Sequence, residues 1–376
     1  MLFYICRIVK MEKYVVKSDK KLRYGYTTGT CAAAASKAAA YMLFHEDVPE
    51  TVEVDTPKGW LLTLNIEDPE KGKGWAKCGV RKDAGDDPDV THGMVVYARA
   101  EKTDNEGIVI AAGEGIGTVT RPGLSVKPGE PAINPVPRAM IIKEVMKVLP
   151  EGEGVKITLS IPGGEKVAKS TFNPRLGIVG GLSIIGTTGI VEPMSTEALK
   201  DTLALELSMI AARGQKEAVL TPGNYGKSHV LKSGVDESII VSCGNFLGFM
   251  LEKAVEYGFE KIWLIGDIGK LIKVAAGIFN TAGRVADARA EIMAAYGAHF
   301  GAKKETVDKI LSSGTSEEAM EILEKAGIDI GEFSKFVAER IADKCSWYTG
   351  GRLKVSVDLI SQKRGLLARV RRDENW

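Results

Sequence analysis

Apolar and polar positions follow two different rhythms in the two halves of the chain. In the first half, short stretches alternate with period two, as strands with one buried face do. They fall at 51–56 and 60–66 around Pro57-Lys58-Gly59, a hairpin signal, and at 75–80, 94–100, 108–111 and 155–161. Two helices are predicted among them. One is an alanine-rich run over 31–44, opened by Tyr26-Thr27-Thr28-Gly29-Thr30, whose hydroxyls suit an N-cap. The other covers 136–149 and is entered through Asn134-Pro135. Runs of strands with few helices predict an α+β domain over residues 1–175.

From Gly177 onward the rhythm changes. Apolar runs end in glycine-containing loops and give way to helical periodicity. Ile184-Ile185 leads through Gly186-Thr187-Thr188-Gly189 to a helix capped by Ser195 and stopped at Gly214. The run 218–221 enters Pro222-Gly223-Asn224-Tyr225-Gly226, 238–242 enters Cys243-Gly244-Asn245, and 261–265 enters Gly266-Asp267-Ile268-Gly269. Three successive strand–loop–helix units predict an α/β domain over 176–376 with a Rossmann-like, mainly parallel sheet. Helices are expected at 285–300, 305–311, 316–325 and 333–344, the third with a Thr315/Glu318 capping box. A last strand at 353–359 precedes a charged tail. Thr-Thr-Gly occurs at 27–29 and 187–189 without wider self-similarity, so it does not mark a repeat.

Composition narrows the classes. In 376 residues, 50 Lys+Arg face 49 Asp+Glu, so no global field favours nucleic acid or an anionic membrane. Acidic ligands must therefore be held by local groups. Cys6, Cys31, Cys78, Cys243 and Cys345 are odd in number and widely spaced, which argues against a disulfide framework or a zinc site and fits a reducing cytoplasm. The apolar opening is too short for a membrane span and lacks a signal-peptide layout, and either Met1 or Met11 suits as the start.

Candidate chemistry concentrates in 82–93, where Asp83, Asp86, Asp87, Asp89 and His92 lie among glycine and proline. Coupled acids beside an imidazole can move protons or grip a cation; a solvated turn is the plainer alternative. The spacing is not that of an EF-hand. Thr27, Thr28, Gly29 and Thr30 at one helix start, like Thr187 and Thr188 after Gly186, offer hydroxyls and amides to an anion or serve as simple caps. Gly223, Asn224, Tyr225, Gly244, Asn245, Gly266 and Asp267 close the carboxyl ends of predicted parallel strands, where open α/β sheets bind ligands. Asp267 suits a ribose hydroxyl or a helix cap equally. There is no G-x-G-x-x-G, Walker A or G-x-S-x-G sequence. Of the histidines, His45 and His299 read as structural, His229 is ambiguous, and His92 alone sits in a dense polar motif.

At these residues the sequence resembles the cobalt-precorrin-5B C-1 methyltransferases of anaerobic cobalamin biosynthesis, the CbiD type. The stretches 25–34, 82–93, 128–138, 172–178, 185–193, 221–226 and 269–277 carry the resemblance in order along most of the chain. It implies methyl transfer from S-adenosyl-L-methionine to C-1 of a cobalt-precorrin, giving cobalt-precorrin-6A, with cobalt present only as part of the substrate. A macrocycle bearing acetates and propionates needs several donors; Arg138, Arg175, Lys227 and the two Thr-Thr-Gly loops suit. The α/β half is the better place for the methyl donor, and the 83–92 loop for any base. Two positions depart from the family pattern. Asp267 stands where histidine is common, and Thr281-Ala282-Gly283 stands where Thr-His-Ser is common; both read as positions that shape the pocket. No protein metal site, nucleic acid or membrane partner is expected. A homo-oligomer and transient contact with other enzymes of the pathway are compatible with the sequence. The rival readings are a non-enzymatic cobalt-tetrapyrrole carrier and a Mg-dependent sugar-phosphate enzyme.

Overall fold

The computed structural model describes residues 13–17 and 19–372, so Met1, Cys6 and Met11 lie outside the described residues. The chain is mixed α/β and divides into two compact units, one running to Thr196 and the other starting at Glu197.

In the first unit a five-stranded sheet has the order Glu67–Gly72, Trp75–Arg81, Val95–Thr103, Gly154–Ser160, Gly107–Ala112. Neighbours are antiparallel except the last pair, which is parallel. Every second residue of the central strands is buried, among them Ala76, Cys78, Val96, Ala98, Ile157 and Leu159. Against them lies the helix Thr28–Phe44, which also packs on the helix Pro135–Met146. Its alanines 32–35 and 38–40 are fully buried. A helix apolar all round belongs inside a core, and side chains this small let it approach sheet and helix together. The hairpin Thr51–Asp55 and Leu61–Asn65 pairs as its alternation predicts.

One edge strand and one strand pair carry no such signal. Glu67–Gly72, reading EDPEKG, is polar throughout and contains a proline, yet it forms the sheet edge with a bulge between Glu67 and Glu70. Charge, proline and irregularity are what an exposed edge tolerates. The pair Tyr14–Lys17 and Lys20–Arg23 is likewise mostly solvent-facing.

The boundary expected at 175/176 falls inside the first unit. Ile178–Val179 pairs with Thr118–Val119, Ile190–Val191 pairs with Gly25–Tyr26, and Ile184 bridges to Ile133. These pairings bind 176–196 to the strands and helix before it.

The second unit holds a mixed sheet in the order Ile240–Ser242, Glu217–Thr221, Lys261–Asp267, Lys354–Ser361, Gly365–Val370. The first four strands are mutually parallel and the fifth is antiparallel. That fifth strand replaces the expected charged tail, and its charges explain it. Asp358, with no exposed surface, accepts from the Trp263 indole at 3.1 Å, from Arg369 Nη2 at 2.8 Å and from Arg371 Nη1 at 2.6 Å. A buried carboxylate thus ties the last strand into the sheet. Helices Thr196–Ala212, Asn224–Lys232, Leu247–Glu256, Ile268–Ala275, Arg289–His299, Lys304–Leu311, Ser316–Lys325 and Ile330–Tyr348 complete the unit. The helix expected to open at residue 285 starts at Arg289 instead. One arm of the capping box forms: the Glu318 amide donates to Thr315 Oγ1 at 3.1 Å, while Glu318 Oε2 accepts from the Gly314 amide at 2.9 Å, one residue before the cap.

Candidate functional site

The two Thr-Thr-Gly segments meet. The Gly29 amide donates to the Ile185 carbonyl at 3.0 Å, the Thr27 amide to Gly189 O at 3.1 Å, and Thr30 Oγ1 to the same Gly189 oxygen at 2.6 Å. Thr28 Oγ1 accepts from the Ile185 amide at 3.0 Å, and Thr27 Oγ1 caps the Thr30 amide at 3.2 Å. All three threonines are buried. These hydroxyls, and the Gly29 and Thr30 amides, are therefore spent on protein partners. This helix start is a docking joint rather than an open anion cradle. Thr187 and Thr188, on the opposing loop, remain exposed.

The acidic loop is also braced, and the sequence pattern did not show by what. Arg23 grips Asp83 through both guanidinium nitrogens at 2.6 and 2.7 Å, and the Gly85 amide donates to Asp83 Oδ1 at 2.9 Å. Asp86 Oδ2 accepts from the Arg23 amide at 2.6 Å, and Asp87 Oδ1 from the Met194 amide at 2.8 Å. Asp89 pairs with the buried Lys82 ammonium and takes the Thr91 amide at 2.8 Å and hydroxyl at 2.6 Å. Burial pushes the Asp83 carboxyl upward, but the Arg23 fork and the Gly85 amide outweigh it and hold the group below the usual carboxylate range. Asp89 is governed likewise, with Lys82 and Thr91 overcoming burial. Such carboxylates stay ionised and are weak proton acceptors. His92 is exposed; the Ala84 amide donates to its Nδ1 at 3.1 Å, which puts the ring proton on Nε2. Gly85 is required here: its φ is +67° and a β-carbon would collide with the Arg23 carbonyl oxygen.

The other predicted substrate residues lie on separate elements. Arg138 is half-buried on the helix Pro135–Met146. Arg175 is exposed and lies 5.8 Å from the Phe172 ring centre. Lys227, in the second unit, pairs with Glu237 at 2.7 Å.

The second unit's loops do lie at the carboxyl ends of the parallel strands, in two groups. Asn245 Oδ1 accepts from Thr281 Oγ1 at 3.2 Å and the Thr281 amide donates to the Asn245 carbonyl at 3.0 Å, so the Gly244-Asn245 loop holds the segment at Thr281. In the other group, Gly266 lies flush against Pro222, Lys270 Nζ donates to the Pro222 carbonyl at 2.6 Å, and Tyr225 donates to Ser361 O at 3.0 Å. Beside these, a cleft of about 400 Å³ opens over Asp267 and Gly269, bordered by Arg289, Ser316, Glu317 and Lys363. Asp267 Oδ1 caps the Gly269 amide at 2.8 Å. Burial, reinforced by the charge of Glu317, raises its carboxyl above the usual range against the Gly269 and Gln362 amides. Ser316 and Glu317 were not among the predicted site residues. The capping box marked their helix start, but its position against Asp267 depends on tertiary order.

Among the described residues no group of three His, Cys, Asp or Glu is arranged to hold a metal ion, and no helix is long and apolar enough to cross a membrane. Cys31, Cys78, Cys243 and Cys345 are buried free thiols, and burial pushes Cys31, Cys78 and Cys243 up to about 12.

Two α/β units, one with a braced acidic loop and the other with an open cleft at a parallel-strand edge, set the class. Residues 15–193 match the family profile described as CbiD, and residues 280–371 match that described as CbiD, C-terminal domain. A "Cobalt-precorrin-5B C(1)-methyltransferase" of Thermoanaerobacter sp. (strain X514) is 63% identical over 97% of this chain and 100% of that protein. Relatives of the same name from Alkaliphilus metalliredigens and Thermosipho africanus are 48% and 50% identical over 95% and 93% of this chain, and 95% and 98% of theirs. A 1.9 Å crystal structure of a cobalamin biosynthesis protein (cbiD) from Archaeoglobus fulgidus is 32% identical, covering 73% of this chain and 87% of that one with a TM-score of 0.39. The chain belongs to the CbiD family.

Proposed function

We propose that this chain methylates C-1 of cobalt-precorrin-5B, with S-adenosyl-L-methionine as donor, giving cobalt-precorrin-6A in anaerobic cobalamin biosynthesis. The observation that carries this reading is an end-to-end likeness, in both chains, to relatives bearing that activity in their name. In the transfer, the C-1 electron pair forms the new carbon–carbon bond while sulfur keeps the pair of the breaking C–S bond. The reaction needs alignment more than covalent help, and well-oriented reactants gain roughly 7–11 kcal/mol.

Two halves of the work follow from the chemistry. The second unit's four parallel strands suit a Rossmann-like donor-binding sheet, because ligands of such sheets sit outside the carboxyl ends. In the first unit, Arg138, Arg175, Thr187 and Thr188 supply donors to the macrocycle's carboxylates. Any proton released from the ring falls to Asp86 or Asp87, each of which has one oxygen outside the hydrogen bonds that brace the loop. Asp83 and Asp89 position the loop, and the His92 Nε2–H serves as a donor. The buried free thiols fit a reducing cytoplasm.

The test is anaerobic incubation of the full chain with cobalt-precorrin-5B and methyl-labelled S-adenosyl-L-methionine. One labelled methyl per macrocycle, at C-1 by NMR, is expected. Macrocycle binding without transfer would replace this reading with the carrier.

A further inference from the structure

The cleft over Asp267 carries an unresolved electrostatic imbalance. Of its charged residues, Glu321 is paired with Lys363 at 2.9 Å, Arg289 with Asp287 at 3.0 Å, and Glu318 is spent on the Gly314 amide. That leaves Asp267 and Glu317: Glu317 adds to the cost of ionising Asp267, which Lys270 offsets only in part, and Lys363 and Arg364 lie within the field of Glu317. Glu317 Oε1 takes the Ser361 hydroxyl, but Glu317 Oε2 has no hydrogen-bond partner in the protein. Neither has Ser316 Oγ, on a residue only 6% exposed that borders the cleft. A buried hydroxyl and a carboxylate oxygen left unpaired each cost free energy that a ligand's donors can recover.

Gly269 shapes the spot where these groups converge. A β-carbon built there would lie 3.0 Å from Asp267 Oδ1 and 3.6 Å from Ser316 Oγ. The missing side chain leaves the gap between two polar atoms unfilled, and a methyl there would press on Asp267 Oδ1. Its φ lies outside the left-handed region and it sits in the first turn of the helix Ile268–Ala275, so nothing in the backbone itself demands glycine.

We infer that this cleft, with Asp267, Ser316 and Glu317 as its polar wall, binds the ribose hydroxyls and the ammonium group of the methyl donor. The inference rests on the methyltransferase reading and adds to it the donor's polar subsite, placed between the third and fourth parallel strands. Vicinal hydroxyls donate to carboxylates and accept from Ser316. An ammonium suits the unpartnered Glu317 Oε2 beside Asp267, which a carboxylate- or phosphate-only ligand would not. The Gly223-Asn224-Tyr225 loop, on the neighbouring strand, then borders the site rather than forming its wall.

Calorimetric titration of the full chain with S-adenosyl-L-methionine tests this, comparing wild type with Gly269→Ala and Glu317→Gln. Thermal melting first establishes that each variant folds; the alanine fills the space without backbone strain and the glutamine is isosteric. Saturable wild-type binding, weakened roughly tenfold or more in both variants, is the expected result. Wild-type binding that both variants share unchanged would overturn the cleft while leaving methyl transfer intact. No wild-type binding would overturn the cleft as a preformed donor site, and the labelled-methyl assay would decide the activity separately.

Discussion

The Lys82–Gly93 loop and the Asp267 cleft are both rich in acids, and they are opposite in kind. In the loop, each aspartate has a partner: Arg23 on Asp83 and Asp86, Met194 on Asp87, Lys82 and Thr91 on Asp89. In the cleft, burial and the charge of Glu317 hold the Asp267 carboxyl up, one Glu317 oxygen has no hydrogen-bond partner, and neither has the Ser316 hydroxyl. The difference teaches that a dense run of charge in a sequence marks a braced structure at least as readily as a reactive one. Binding capacity lies where polar groups are left unmatched.

The largest effect should come from the backbone approach that seats the loop. A β-carbon on Gly25 would overlap the backbone of Asp83, Ala84 and Gly85. Gly25→Ala should destabilise the first unit by about 3 kcal/mol, read from the denaturant midpoint; a change within error would mean the loop is not held there. Next is Lys82→Met, which leaves Asp89 without its ammonium. With Asp89 partly exposed, a loss of about 2 kcal/mol is expected.

The pH response should separate the two regions by sign. Asp83 and Asp89 are depressed in the folded state, so their stabilisation is present above the unfolded carboxylate pKa and is lost as pH falls through the folded values, below about pH 4. Asp267 is raised, so its ionisation costs stability as pH climbs from the unfolded value through the folded one, and the cost persists at neutral pH. Asp267→Asn keeps a capping oxygen for the Gly269 amide. It should raise stability by roughly 0.5 kcal/mol at pH 7 while weakening the donor complex. Asp83→Asn should lower stability at the same pH; equal signs for the two would erase the distinction.

Much of this fold was legible in the sequence because period-two alternation and helix caps are local signals. The buried strands, the alanine helix and the Thr315 cap needed nothing else. The polar edge Glu67–Gly72 and the last strand Gly365–Val370 were not legible, since one has no buried face and the other depends on Asp358 meeting two arginines. The sites divide similarly. Clustered aspartates advertise themselves, but Arg23, whose guanidinium makes Asp83 a brace, is sixty residues away from Asp83. Ser316 and Glu317 acquire meaning only when their helix start is set over the end of the Lys261–Asp267 strand. The two Thr-Thr-Gly motifs, each read as an anion site or a simple cap, are hydrogen-bonded to each other, a pairing that no local pattern shows.

The most direct test of a donor cleft working apart from an acidic loop is steady-state methyl transfer to cobalt-precorrin-5B by three single variants of the full chain. Glu317→Gln should raise KM for S-adenosyl-L-methionine roughly tenfold with kcat little changed. Asp86→Asn and Asp87→Asn should leave that KM in place, and one of them should lower kcat roughly a hundredfold as the base is lost. The account would be contradicted by the reverse pattern, with Glu317→Gln acting on kcat alone and the aspartate variants shifting the donor's KM.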